Sequence, residues 1–195
     1  MRSELLHRFA CVCVALLTCC TVACATGRAH TERPPADLSP TSLYPLREGA
    51  AWSYDVDAGD GELVLATTRV LRVTGTQVEV VSGQAVLRYA LLPDGIQRVD
   101  GGTYLIRAPV VLNKQWTGTM GSQARVTALN QDLQTPAGKF ESCVVVAEEG
   151  GDSGRKVTTT YCPGVGPVVV VSEMEVRGKL LQVTAKLRGY SLEAL

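Results

Sequence analysis

The residues best suited to chemistry in this chain are carboxylates, and their spacing decides what they can do. Glu148 and Glu149 are adjacent, and Glu173 and Glu175 lie two apart. Either pair could supply acid and base groups for a reaction that needs no histidine. Successive side chains on a strand point to opposite faces, so Glu148 and Glu149 diverge beside a turn, where solvation is the ordinary role of charge. Glu173 and Glu175 share a face, most simply the solvent face next to the apolar run Val168-Val-Val-Val171. The segment Asp55-Val-Asp-Ala-Gly-Asp-Gly-Glu62 alternates carboxylates as a calcium loop does. Its register fails, because Gly59 stands where a ligand is needed, Asp60 where the turn glycine belongs and Ala66 where the closing glutamate belongs. A solvated turn at the end of the first strand is the reading these residues support.

Ser153 lies in Gly151-Asp-Ser-Gly154, the tetrapeptide around the nucleophile of trypsin-like proteases. The match ends at Arg155, where those proteases continue with Gly-Pro, and a serine needs a base to become a nucleophile. The chain holds two histidines, His7 and His30, both ahead of the region that can fold. A hairpin turn is expected at Ser153, no catalytic residue is assigned, and His-based metal sites are excluded from the domain. No phosphate-binding loop, dinucleotide fingerprint or basic-aromatic stripe appears, and the sequence implies no cofactor.

Beyond the first 24 residues two cysteines remain, Cys143 and Cys162. If residues 141–147 and 156–162 pair as a hairpin centred between Asp152 and Ser153, opposed residue numbers total 305, which sets Cys143 directly opposite Cys162. Opposed positions in an antiparallel pair lie within disulfide range, so a Cys143–Cys162 bridge is expected in an oxidising compartment.

The elements that carry these residues read as strands. From residue 43 onward, short stretches rich in Val, Leu, Thr and Tyr are separated by Gly, Asp, Asn and Pro at turn spacing. Strands are expected over 51–56, 62–73, 77–81, 85–92, 95–99, 103–106, 124–129, 139–147, 155–162, 168–174 and 179–187. The turns between them include Thr74-Gly75-Thr76, Ser82-Gly83, Pro93-Asp94-Gly95 and Arg177-Gly178. No stretch of a dozen residues has helical periodicity, so there are no crossover helices for parallel pairing. An all-β antiparallel meander follows, closing into a barrel, a half-barrel or a two-layer sandwich.

Ahead of this domain stands a targeting signal: Arg2, His7 and Arg8 precede an uncharged run of 15 residues, Phe9 to Ala23, too short to span a bilayer as a helix. Thr21-Val22-Ala23-Cys24 resembles the lipobox of bacterial lipoproteins, with Thr21 in place of the usual Leu. The resemblance implies cleavage after residue 23 and acylation of Cys24, with several chains attached, as stable anchoring requires. Ala25 rather than Asp follows the cysteine, which by the sorting pattern of many Gram-negative lipoproteins implies the outer membrane. Residues 24–42, with Pro34, Pro35 and Pro40, read as the lipidated cysteine and a flexible tether, and residues 43–195 as one domain. Without the leader the chain carries 17 basic and 18 acidic residues, a balance that gives no footprint for nucleic acid.

Tyr44-Pro-Leu-Arg-Glu-Gly-Ala-Ala-Trp-Ser-Tyr54, Thr135-Pro-Ala-Gly-Lys-Phe140 and Tyr161-Cys-Pro-Gly-Val-Gly166 resemble elements of a group of uncharacterised exported bacterial lipoproteins. The resemblance implies an exported all-β domain and carries no catalytic residues. Trp52, Tyr54 and Phe140 are expected in the core, and Gly49, Gly138, Gly164 and Gly166 at turns or close contacts. The expected role is non-enzymatic: an interaction or structural module of the cell envelope, anchored to the membrane through Cys24 and tethered to bind an envelope protein partner or an envelope polymer. The alternative is an open barrel that binds or carries a lipid or other apolar ligand, which requires a lined and unfilled interior.

Overall fold

The alternation seen in the sequence produces twelve strands in the computed structural model, which describes residues 37–151 and 154–193. They are β1 (Ala51–Asp57), β2 (Leu63–Thr74), β3 (Gln77–Ser82), β4 (Ala85–Leu92), β5 (Gly95–Arg98), β6 (Thr103–Arg107), β7 (Gln115–Thr117), β8 (Gln123–Thr135), β9 (Gly138–Glu149), β10 (Lys156–Cys162), β11 (Gly166–Val176) and β12 (Lys179–Ser191). All belong to one antiparallel sheet in the order β6-β5-β4-β3-β2-β1-β12-β11-β10-β9-β8-β7. Every neighbour is also a neighbour in sequence except β1 and β12, which join the two halves. The outer strands β6 and β7 approach each other, and the Trp116 indole N–H donates to the Tyr104 carbonyl across the seam at 2.9 Å. The result is a nearly closed barrel.

Tight turns enforce this path. Val176 pairs with Lys179 across Arg177-Gly178, both in the left-handed region at φ 53° and 74°, the twist that a two-residue hairpin needs. The expected strands are all present, and β7 is an additional one. It is three residues long, below the length at which alternation can be read, and it is fixed by burial of Trp116.

A twelve-stranded barrel encloses more space than its own side chains fill. Large aromatics and an inserted segment make up the difference at one end. Residues 37–42, which the sequence assigns to the tether, instead join Leu43 in building the plug, with a single helical turn, α1 (Pro40–Leu43), Pro40 in its first turn and the Ser39 hydroxyl accepting from the Ser42 N–H at 3.2 Å. Leu43, Tyr44 and Leu46 are buried. The Tyr44 ring lies 5.2 Å from Trp52, 6.3 Å from Tyr161 and 6.5 Å from Tyr89. Gly164 donates to the Ser42 carbonyl at 2.8 Å, tying this plug to the turn between β10 and β11. Side chains from both halves complete the core, among them Val70, Val78, Ile96, Ile106, Val126, Val144, Val168 and Leu187.

Strand direction sorts the connections into two ends. The β2–β3, β4–β5 and β10–β11 turns lie with the plug, while the bent β8–β9 hairpin reaches across to β12, where the Ala137 N–H donates to the Leu187 carbonyl at 3.1 Å and Pro136 shares a hollow with Asp57, Leu63 and Thr184. The β1–β2, β3–β4, β5–β6, β7–β8, β9–β10 and β11–β12 connections surround the opposite end, the mouth.

Candidate functional site

At the mouth two neighbouring hairpins, β1–β2 and β11–β12, form a four-stranded flap joined through Val56–Ala185 and Asp57–Thr184. Register assigns its faces. Trp52 and Tyr54 point into the core, so Val56 on the same strand also points inward, as do Val64 opposite it and Ala185. Along β11 and β12 the inward set continues through the pairs Val170–Ala185, Ser172–Val183 and Met174–Leu181. Leu63 and Leu65, opposite Asp57 and Asp55, point outward, as does Leu180 opposite Glu175. The inner face is therefore apolar, and it is bare, with Val64 64 % and Leu181 43 % exposed; the outer face is mixed, setting Leu63, Leu65 and Leu180, each at least 60 % exposed, among Asp55, Asp57, Glu173, Glu175, Gln182, Thr184 and Lys186. The continuous apolar inner face, with exposed leucines on the side behind it, marks an interaction surface.

Polar groups line the opposite wall. Arg98 pairs with the buried Tyr89 in the β4–β5 register and therefore faces inward. Among the described residues it makes no ion pair. Its side chain lines a hollow of about 360 Å³ at the rim, together with Asp100, Thr103, Thr119 and Met120. Glu148 also faces inward, and its carboxylate accepts from the Thr119 N–H and the Ser122 hydroxyl, both at 3.1 Å, fastening the 3-10 turn Thr119–Gly121 to β9.

Beneath the mouth lies a floor of tyrosines. Burial, together with the other tyrosines, pushes the Tyr44 hydroxyl well above its usual range. Burial raises Tyr161 as well, with the Glu148 charge adding to it. Tyr54 is raised by burial and donates to the Pro167 carbonyl at 3.0 Å. Burial raises Tyr89, with Arg98 opposing the shift and Glu148 reinforcing it. Among the described residues no buried side-chain nitrogen or oxygen lacks a hydrogen-bond partner. The polar groups of the interior are spent on holding the barrel together.

The carboxylates singled out in the sequence are dispersed. Glu148 and Glu149 do point apart, but Glu148 is not a solvated turn residue. It continues the inward series Val144, Val146, Glu148, while Glu149 lies 3.5 Å from Lys156 on the outside. Glu173 lies outside too, 3.9 Å from Lys156. Asp57 accepts from the Gly59 N–H at 2.7 Å and Asp60 from the Glu62 N–H at 3.1 Å, so these two close the β1–β2 turn. Cys143 and Cys162 form a disulfide with an S–S distance of 2.03 Å and a Cα separation of 4.2 Å. The β9–β10 partners total 305 at each of five pairs, from Glu148–Val157 to Val144–Tyr161, the register read from the sequence. Cys24, His7, His30, Asp152 and Ser153 lie outside the described residues. What the sequence analysis missed is the flap: its strands were legible, but their projection beyond the barrel was not.

No protein-family model and no curated protein matches the sequence. Two solved structures are similar to this chain. One is a Bacteroides fragilis protein described as exported and as having a YmcC-like fold, at 14% identity over 76% of this chain and 98% of that one, with a TM-score of 0.49. The other is a Parabacteroides distasonis protein described as a lipoprotein, at 14% identity over 78% of this chain and 100% of that one, with a TM-score of 0.44.

Proposed function

We propose that this chain is a non-enzymatic interaction module of the cell envelope, held to the membrane by acyl chains on Cys24, and that it docks an envelope protein through the β1–β2/β11–β12 flap. The observation that carries the reading is the exposure of Leu63, Leu65 and Leu180 on one face of the flap together with Val64 and Leu181 on the other. A free domain that kept so much apolar surface in water would forgo about 25 cal/mol for every Å² left uncovered. The anchor itself rests on the lipobox-like Thr21-Val22-Ala23-Cys24, and the outer membrane on Ala25.

Cysteine labelling in the intact envelope tests the docking role. Leu180→Cys on the flap and Val86→Cys on the outer wall both replace exposed residues. A docked flap leaves the cysteine at 180 protected from a maleimide while the one at 86 reacts. Equal reaction at both positions overturns the proposal.

The inward apolar residues favour a second reading, an apolar ligand seated in the mouth, since Val64, Met174, Leu181 and Val183 share the inward face and are all left exposed by this chain. Native mass spectrometry followed by organic extraction separates the two: a stoichiometric apolar molecule supports the ligand reading, and a bare polypeptide removes it.

A further inference from the structure

We infer that the mouth holds a lipid with a zwitterionic head, its acyl chains against the inner face of the flap and its head in the hollow between Arg98 and Asp100. The inference rests on the ligand reading given above and names the ligand. Space for the chains comes from side-chain size. The plug and the tyrosines fill the lower end of the barrel, but toward the mouth the inward side chains become small: Ala66 opposite Tyr54, Ala185 opposite Val56, and Ser82, whose hydroxyl lies 3.1 Å from that of Thr68. All four are half-buried. An eight-stranded barrel can already hold a small ligand, and side chains this short do not fill the interior of twelve strands. Farther out, Val64, Leu181 and Val183 stand exposed on the inner face, whereas the outer face mixes its leucines with acids, Gln182 and Lys186. A wall that is continuously apolar only toward the mouth is one that acyl chains cover from within.

Charge identifies the head. Arg98 faces inward, near enough to the buried Tyr89 for its charge to be felt there, and Asp100 lines the same hollow of about 360 Å³. Neither pairs with the other, nor with any other charge among the described residues. Glu148 nearby is already held by the Thr119 N–H and the Ser122 hydroxyl. Lys179, which register also turns inward, is at the tip of the β11–β12 hairpin and outside the hollow. A plain hydrocarbon would leave both Arg98 and Asp100 beside an apolar guest. An anionic head would satisfy Arg98 but crowd Asp100 and Glu148, and a cationic head would do the reverse. A phosphate joined to an ammonium answers both charges: the guanidinium takes the phosphate oxygens through paired N–H donors, and the ammonium sits against Asp100. The exposed Met120 in the same hollow gives the start of the acyl chains an apolar contact.

The test places the full-length chain in phosphatidylglycerol vesicles that carry a trace of a photoactivatable lipid, with a diazirine in its acyl chain and either an ethanolamine or a glycerol head. The ethanolamine-headed probe is expected to label the flap peptides holding Val64 or Val183 at least about tenfold more than the glycerol-headed one. Asp100→Asn removes that preference, and Arg98→Gln lowers labelling by both probes. Val64→Asp, on the inner face, also lowers both, while Val86→Asp on the outer wall lowers neither; both positions are exposed, so the core is not disturbed. Equal labelling by the two probes, indifferent to Asp100→Asn and Arg98→Gln, overturns the zwitterionic head and leaves an apolar ligand standing. Labelling that Val64→Asp does not lower puts the lipid outside the mouth and overturns the inference. No labelling of the flap by either probe, in a chain anchored in the vesicles, sinks the ligand reading itself.

Discussion

Tyr44, Tyr54, Tyr89 and Tyr161 meet under the mouth, and the same burial that makes them a good floor makes them poor acids. Below about pH 10 all four are protonated whether the chain is folded or not. Above that, the unfolded chain releases protons that the folded one retains, so stability is complete below pH 10 and falls as pH rises toward the folded values. The slope is up to about 1.4 kcal/mol per pH unit for each tyrosine. Urea unfolding between about pH 9 and pH 11 is expected to show this decline, and Tyr44→Phe to lessen its slope. A flat profile would mean that the hydroxyls reach water. At this scale the sequence spoke clearly about aromatics and poorly about charge. Trp52, Tyr54 and Phe140 are core residues, as their size suggests, and Gly166 sits at φ 114° where a Cβ would come within 3.0 Å of the Trp52 indole nitrogen. Glu148 was misread because its neighbour Glu149 and the nearby turn suggested solvent. The alternation Val144, Val146, Glu148 held the contrary signal.

Among the elements, the β10–β11 turn does more than connect. Val165 accepts the Trp52 indole N–H at 2.7 Å, Gly164 holds the plug, and Cys162 at the foot of the turn is bridged to Cys143. The bridge fixes the bent β8–β9 hairpin, with its three irregularities of register, to the strand that feeds this turn. Replacing both cysteines by serine is expected to lower the unfolding free energy by about 3 kcal/mol, the loop-closure value for a separation of this size. Denaturant titration reads it directly, and a loss well under 1 kcal/mol would show that the barrel holds the two strands without help. The β9–β10 register was legible because two strand-like runs flank a glycine-rich turn, and centring the hairpin on that turn sets Cys143 opposite Cys162 and Val144 opposite Tyr161. The plug was not, because Pro34, Pro35 and Pro40 have the composition of a linker. Burial of Leu43 depends on a space that exists only after twelve strands curve. Projection of the flap was hidden for a similar reason, since how far a hairpin outruns its neighbours depends on the stagger of the whole sheet.

For the molecule as a whole, the described chain enters at the plug, and its apolar flap is at the other end of the barrel. Cys24→Ser is expected to shift the protein from the membrane fraction to the soluble one without altering its unfolding curve; retention in the membrane would remove the acyl anchor. The strand order has its own consequence for how the protein is made. Each strand finds a neighbour next to it in sequence, but the second edge of β1 waits for β12, with Ala51 pairing Ser191. A chain delivered N-terminus first therefore displays a six-stranded meander with a bare inner edge until β12 arrives. That edge invites pairing with foreign strands for the whole of synthesis and transport. β12 works as a latch, and a chain that stopped before Thr184 would be left open along the whole β1 edge, a substrate for quality-control proteases rather than a slightly smaller barrel.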